Sequence, residues 1–174
     1  MAGFGKANPT TFHNRRMSAI IIGDKLVLEP LESEWIIAGR ARIADELDVA
    51  VNENWPSPDL LEAAQNLEWL NSTQHWAIVH VLDRTAIGGV GVTGAGTETP
   101  KIGYDIVESY RMQGHATEAV RLLSDYLLTQ FKGAIFADTL RDNMGSAKVL
   151  MNNGFSIELE FEEEGQAMIG WKKQ

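Results

Sequence analysis

Residues Arg111–Ala116, RMQGHA, join a strand-like run, KIGYDIV, to a long amphipathic segment, and their types suit the binding of an anion. A glycine at the mouth of a helix leaves the first-turn amides open, and those amides, with the positive end of the helix dipole, bind phosphate oxygens. Arg111 and His115 add cationic side chains to this turn in a chain whose formal charge is −9. A second glycine pattern competes for the role: Gly89, Gly91 and Gly94 in GGVGVTGAG keep the spacing G-x-G-x-x-G of dinucleotide-binding loops. That fingerprint needs a helix directly behind it, whereas Gly96 is followed by Pro100 and then Ile102, Tyr104, Ile106 and Val107, a strand pattern. The glycines are therefore assigned to a strand that bends or is closely approached by another backbone.

The elements that must position the turn follow from periodicity and punctuation. Residues 20–29 read as a first strand. SEWIIAGRARIADEL puts Ile36, Ile37, Ile43, Ala44 and Leu47 near one helical face, with Ser33 as N-cap. A second helix starts at SPDLL, where Ser57 caps and Pro58 suits the first turn; its stripe is Leu60, Leu61, Ala64, Leu67 and Leu70. Three strands follow, QHWAIVHVL, TAIGGVGVTG and KIGYDIV, turned by DR and AGTETP. Apolar residues at Ala116, Ala119, Val120, Leu123, Leu127 and Phe131 then mark the helix behind RMQGHA. AIFADTL is a further strand, DNMGSAKVLMNNG a short helix capped by Asp142 or Asn143 and stopped by Gly154, and FSIELEF and QAMIGWK a closing hairpin through EEEG. This mixed order defines an α+β fold.

With 174 residues and 44% hydrophobic content the chain suffices for one buried core, and no Pro/Gly/Ser-rich linker divides it. Residues 1–16 carry turn formers without periodicity and are expected to be a flexible extension, with the domain at 17–174. The net charge argues against nucleic acid or an anionic membrane as partner, since either requires a basic patch, and favours a cationic or amine-bearing one. No stretch approaches the roughly 20 apolar residues of a membrane span. The absence of cysteine excludes a disulfide, a thiolate metal site and an acyl-cysteine, which fits a cytoplasmic protein. His75 and His80, five apart on one strand, face opposite ways, so no metal site is expected. The five glutamates of ELEFEEEG read as a solvated strand face and hairpin tip.

Arg111–Ala116 matches the Q/R-x-x-G-x-G/A phosphate loop of the GNAT-type N-acyltransferases, and the chain resembles that family over roughly residues 20–172. GDKLVLEPL is similar to the family's opening strand, IGYDIVESYRMQGHATEA to its fourth strand and loop, and ADTLRDNMGSAKVLMNNGF to its N-x-x-S segment ending in G-F. The branch it most resembles contains the ribosomal-protein N-terminal alanine and serine acetyltransferases. The resemblance implies a single GNAT-like domain with a mixed, mostly antiparallel sheet of about seven strands, four helices, and a CoA cleft where the fourth and fifth strands splay apart. It implies acetyl-CoA as co-substrate and no metal. Met112, Gln113, Gly114, Ala116 and Thr117 would supply main-chain donors to the pyrophosphate, beside Arg111 and His115. Ile106 and Val107 would pair through their backbone with the pantetheine arm, and Asn143 would hydrogen-bond the same arm. Many members of the branch have glycine where Met112 stands, so a side chain there narrows the loop or shifts a phosphate contact.

By the same resemblance Ser146 sits near the CoA sulfur as proton donor to the departing thiolate, and Asp138 matches a glutamate thought to be the base in a related enzyme. The tyrosine acid of that relative has no counterpart, because Leu150 stands at its position. Asp105, Glu108 and water compete with Asp138 as base. Trp55, in the loop between the two early helices, and Tyr104 are assigned to the acceptor side. The implied reaction is transfer of acetyl to a primary amine by direct attack in a ternary complex, the acceptor being a protein N-terminus, a polyamine, an aminoglycoside or an amino acid. A homodimer is compatible with it. Two rivals stand beside this reading: a non-catalytic CoA-binding sensor of the same fold, and a nucleotide enzyme using Gly89–Gly94. Because residues 1–16 show no burial pattern, a chain beginning at Met17 is expected to keep both its Tm and its acetyl-CoA affinity; a substantial drop in either would show that the extension packs on the domain.

Overall fold

The computed structural model describes residues 19–130 and 132–174. The expected N-terminal extension and Phe131 of the helical stripe lie outside the described residues. The expected first strand is two: β1 (Ile21–Ile22) and β2 (Leu26–Leu31) pair as a hairpin around Gly23 and Asp24. The early helical region is more broken than its periodicity suggests. Gly39 takes φ 87°, a left-handed value that ends α1 (Ser33–Ala38) and starts α2 (Arg40–Leu47), so Ile36 and Ile43 are buried while Ile37 is exposed. Ser33 is the first helical residue rather than the cap, and its hydroxyl donates to the Leu70 carbonyl. After the short β3 (Ala50–Val51), Ser57 does cap α3 (Pro58–Ala63), accepting from the Leu60 amide. Asn66 opens a separate α4 (Leu67–Ser72) in the same way, accepting from the Trp69 amide. Leu61 and Leu67 of the expected stripe are exposed, and Ala64 and Leu70 are buried.

The central strands fall where alternation put them: β4 (Thr73–His80), β5 (Thr85–Thr93) and β6 (Lys101–Ile106) form an antiparallel meander. A 3-10 turn at Glu108–Tyr110 leads into α5 (His115–Gln130), followed by β7 (Ile135–Leu140), α6 (Met144–Asn152), and the hairpin of β8 (Ser156–Glu163) and β9 (Gln166–Lys173). Among the described residues the sheet has nine strands in the order β1-β2-β4-β5-β6-β7-β9-β8, with β3 parallel to the start of β5, and six α-helices accompany it. The excess over the expected seven and four comes from the hairpin at Gly23, the added β3, and the helix breaks at Gly39 and Asn66.

Two layers of helix enclose the meander. Neighbouring residues of β4 face opposite ways. Trp76 meets Tyr126 of α5, while His75 meets Trp69 of α4, so α5 and α4 cover opposite faces. Leu123 and Leu127 of α5 are fully buried, each contributing roughly 1.5–3 kcal/mol. Fixed register across the centre depends on glycine. β5 bulges at Ile87, and a Cβ added to Gly88 would lie 2.1 Å from the Asp105 carbonyl oxygen; one at Gly91 would lie 2.9 Å from the Gln74 carbonyl oxygen. The close backbone approach expected of the GGVGVTG run is thus what its glycines serve. Gly88→Ala is expected to cost about 3 kcal/mol or more in urea unfolding, whereas Gly103→Ala, whose Cβ meets nothing within 4 Å, costs about 1 kcal/mol or less. Equal costs would mean that strand contact is not what selects glycine at 88.

Candidate active site

The site starts with a sheet defect. β6 and β7 are parallel neighbours, but their register holds only Lys101 opposite Phe136, extended by the Phe136 amide donating to Pro100 O at 2.9 Å. From there towards Ile106 and Leu140 the strands run unpaired, which opens a wedge between the fourth and fifth of the long strands. Val107 N–H donates to Ile87 O at 2.9 Å, so ladder alternation turns the Ile106 N–H and C=O to the free edge of the wedge. Ile106 O there accepts from Arg111 Nε at 2.8 Å.

Val107 was expected to pair with the pantetheine arm, and its backbone is already spent: the amide on Ile87, the carbonyl on Tyr110 N. Arg111 likewise folds back onto the strand end, its Nε held by Ile106 O. His115 is the clearest departure. Its ring is buried beneath the turn, Nδ1 3.0 Å from Tyr110 O and the ring edge-on to His80, so it props the loop from below rather than presenting charge to an anion. The prop reaches further, because Tyr110 Oη donates to Asp83 and His80 Nδ1 bonds the same carboxylate. Those bonds, the tyrosine's first, hold Asp83 below the usual carboxylate range.

The turn itself has the form the sequence suggested. Met112 (φ 59°) and Gly114 (φ 84°) alternate left-handed residues with ordinary ones, an arrangement that gathers successive N–H groups on one side. Among the described residues, no acceptor takes the amides of Met112, Gln113, Gly114, His115, Ala116 or Thr117; the first bond of α5 runs from Glu118 N to Gly114 O. A Cβ on Gly114 would meet nothing within 4 Å, so the turn is open on that side. Met112 occupies a conformation that favours glycine, at a cost of roughly 1 kcal/mol, and its side chain is 97% exposed. The residue leans out to solvent and leaves the cradle open. Gln113 Nε2 returns to Ser109 O.

Across the wedge, Asn143 caps α6, its Oδ1 accepting from Ser146 N at 3.0 Å, which leaves its Nδ2 to donate. Tyr104, assigned to the acceptor, spends its hydroxyl on Ser146 O at 3.3 Å and so ties the first turn of α6 to β6. Ser146 is half-buried in that turn, with its side chain beside the Tyr104 phenol. Asp138 is ion-paired with Lys101 Nζ.

The carboxylate best placed for amine chemistry is Asp105, on the face of β6 covered by α3. Its Oδ1 accepts from Gly89 N at 3.0 Å, and burial pushes its carboxyl above the usual range, against the opposing pull of Ser57, the Gly89 amide, the Trp55 indole and Arg111. It lines a cavity of ≈ 390 Å³ together with Trp55, Trp69, His75, Gly89, Gly91 and Gly103. Trp55 therefore does stand on this side, 1% exposed. The sequence reading named Asp105 only as a competitor, and it missed the cavity, whose signal was Gly103 falling opposite Gly91 once β5 and β6 pair. Among the described residues no group of three or more His, Asp or Glu could hold a metal ion, and no helix is long and apolar enough to cross a membrane.

The family model described as an acetyltransferase (GNAT) domain matches residues 25–156. No curated protein matches the chain. Solved structures that resemble it include the ribosomal-protein-S5-alanine acetyltransferase from Vibrio fischeri, at 19% identity and TM-score 0.64 over 89% of this chain and 96% of that one. A ribosomal-protein α-N-acetyltransferase solved in complex with coenzyme A aligns at 16% identity and TM-score 0.65, over 89% and 97%. A spermidine N-acetyltransferase from Vibrio cholerae aligns at 17% and 0.61, over 87% and 94%. At these identities the likeness carries the fold.

Burial lowers the His75 imidazole to about 4. A histidine whose folded pKa is below its unfolded value of about 6.5 takes its proton more readily when unfolded. Its contribution is full above pH 6.5 and is lost as pH falls towards about 4, in all about 3 kcal/mol. Asp105 has the opposite sign: with its pKa raised, the wild type loses stability as pH rises from the ordinary carboxylate range through the raised value. His75→Phe is expected to flatten the stability profile between pH 6.5 and 4, and Asp105→Asn to raise Tm at pH 7 but not at pH 3. Unaltered profiles in urea titrations would show that neither group is desolvated as described.

Proposed function

Because the chain belongs to the GNAT acetyltransferase family, we propose that it moves acetyl from acetyl-CoA to a primary amine by direct attack, with both substrates bound. The observation that carries this reading is the cradle of unpartnered amides from Met112 to Thr117 at the mouth of a wedge between two parallel strands. An anion of pyrophosphate type is held there by amides that have no other acceptor and by the positive end of the sixteen-residue α5. From that anchor the pantetheine arm runs into the wedge, where the Ile106 backbone and the Asn143 Nδ2 are its partners. A donor at the wedge edge polarises the thioester carbonyl as the tetrahedral oxyanion forms.

The amine arrives as an ammonium ion and must lose its proton before attack. Asp105 takes that proton in this scheme. Asp138, the resemblance-based candidate, is already engaged by Lys101, whereas the buried carboxyl of Asp105 binds a proton more readily than an exposed one. The nitrogen of the tetrahedral adduct gives its second surplus proton to solvent; as the adduct collapses, the C–S bond breaks, the sulfur keeps the electron pair as thiolate, and Ser146 Oγ–H supplies its proton, regaining one from solvent. With no cysteine in the chain, the usual acyl-enzyme route is closed.

Gly114→Glu puts a side chain and a negative charge where the phosphates must sit, so the rise in Tm given by acetyl-CoA is expected to vanish. Full stabilisation in that variant would sink the assignment. Ser146→Ala is expected to lower kcat by roughly 10- to 1,000-fold with acetyl-CoA affinity nearly unchanged, and Asp105→Asn to reduce turnover more than Asp138→Asn. Parallel double-reciprocal lines, or an acetylated protein in the mass spectrum, would contradict direct transfer.

A further inference from the structure

α6 flanks the wedge and is tied across it at both ends. Its strand, β7, leaves the β6 ladder beyond Lys101 and Phe136, so backbone pairing does not set the distance between the two sides there. Packing of α6 on α5 holds them together, but apolar contact has no direction and resists separation better than sliding. Hydrogen bonds fix what packing leaves free. At the first turn of α6, Tyr104 Oη reaches from β6 to donate to Ser146 O at 3.3 Å. At the other end, the Asn153 carboxamide reaches α5, its Nδ2 donating to Thr117 O at 3.1 Å.

Asn153 is a buried side chain, 8% exposed, with two carbonyl partners. Thr117 O and Val149 O, the second at 2.9 Å, can only accept, so the nitrogen faces both and its two protons are both used. The bond to Val149 is local. The Asn153 amide turns back to Leu150 O and Gly154 (φ 79°) takes the chain out of the helix, which leaves the Val149 carbonyl for the side chain to cap. The bond to Thr117 joins residues 36 apart and does nothing for the end of α6. It falls instead on the residue that closes the cradle, so Thr117 gives its N–H to the cradle and its C=O to α6.

We infer that Asn153 is a positioning residue for the cofactor: it fixes the span between the phosphate cradle on α5 and the α6 groups, Asn143 and Ser146, that meet the rest of the molecule. This rests on the acetyl-transfer reading above and deepens it. A ligand anchored at two points gains from the second only where the spacing matches its own length. The pyrophosphate sits on the amides of Met112 to Thr117 and the pantetheine arm on Asn143 Nδ2, so a slide of α6 along α5 spoils the match while leaving each anchor intact. Asn153 acts through Thr117 and α6, not by contact with the reacting atoms.

The test is calorimetric titration of CoA and of its nucleotide half, 3′-phosphoadenosine 5′-diphosphate, into the wild type, Asn153→Leu and Asn153→Ser. The nucleotide half carries the pyrophosphate without the arm, so it reads the cradle alone. Leucine keeps the volume and loses both bonds. Serine keeps a hydroxyl that returns to the carbonyl four residues back, Val149 O, but is too short to reach Thr117, so it separates the helix cap from the tie and serves if the leucine variant does not fold. CoA affinity is expected to fall roughly tenfold in both variants, with that of the nucleotide half within about twofold of wild type. Equal losses for both ligands would show that Asn153 only supports the cradle, and unchanged CoA affinity in the serine variant would show that the bond to Thr117 does not set the span; either result overturns the inference. A wild type that binds CoA but not its nucleotide half would overturn the two-point anchorage. Failure of the acetyl-transfer reading shows separately, as a wild type that binds neither ligand.

Discussion

The structure depends on one broken ladder. Two parallel strands, β6 and β7, are joined at Lys101 and Phe136 and then separate, so that a sheet otherwise paired throughout has a wedge at its centre. Backbone groups left without partners in a protein interior are costly, and a fold keeps them only where something else satisfies them. Here Arg111 takes one of them, the Ile106 carbonyl. The rest of the site is arranged around the gap: the amide cradle of α5 at one side, the first turn of α6 at the other, and Tyr104 bridging to α6 so that Ser146 keeps its distance from β6.

Holding the cradle in shape falls to residues packed beneath it. His115, Tyr110, Asp83 and His80 form a hydrogen-bonded and ring-packed chain from the first residue of α5 to the β4–β5 turn. A loop carrying two left-handed residues in three positions is costly to order, and this chain offsets the cost before any cofactor arrives. On the face of β6 covered by α3, the desolvated carboxyl of Asp105 gives up some stability at neutral pH, whereas His75, neutral there, gives it up only as pH falls.

The sequence made the central strands, α5, the caps at Ser57 and Asn143, and the phosphate turn legible, because each is written in local signals: alternation, a helical stripe, a capping side chain, a glycine at a helix mouth. The early helices were legible only in part. Gly39 interrupts a stripe whose apolar spacing continues on either side, and periodicity counts do not weigh a single left-handed residue. The side-chain directions of His115 and Arg111 were not legible for a similar reason. Residue type and position in the turn say that a cation is present, but which way its side chain points is decided by Tyr110 O and Ile106 O, groups set by tertiary packing. The cavity over β5 and β6 was out of reach because it exists only once Gly91 and Gly103, twelve residues apart, are brought opposite each other.

Hydrogen–deuterium exchange of the full chain, with and without CoA, tests the central claim most directly, since it reads the amides on which the claim rests. The account predicts that CoA slows exchange across residues 106–118, most strongly from Met112 to Thr117, and leaves Gly89–Gly94 as they are. Protection centred on Gly89–Gly94, with the turn before α5 unchanged, would contradict it.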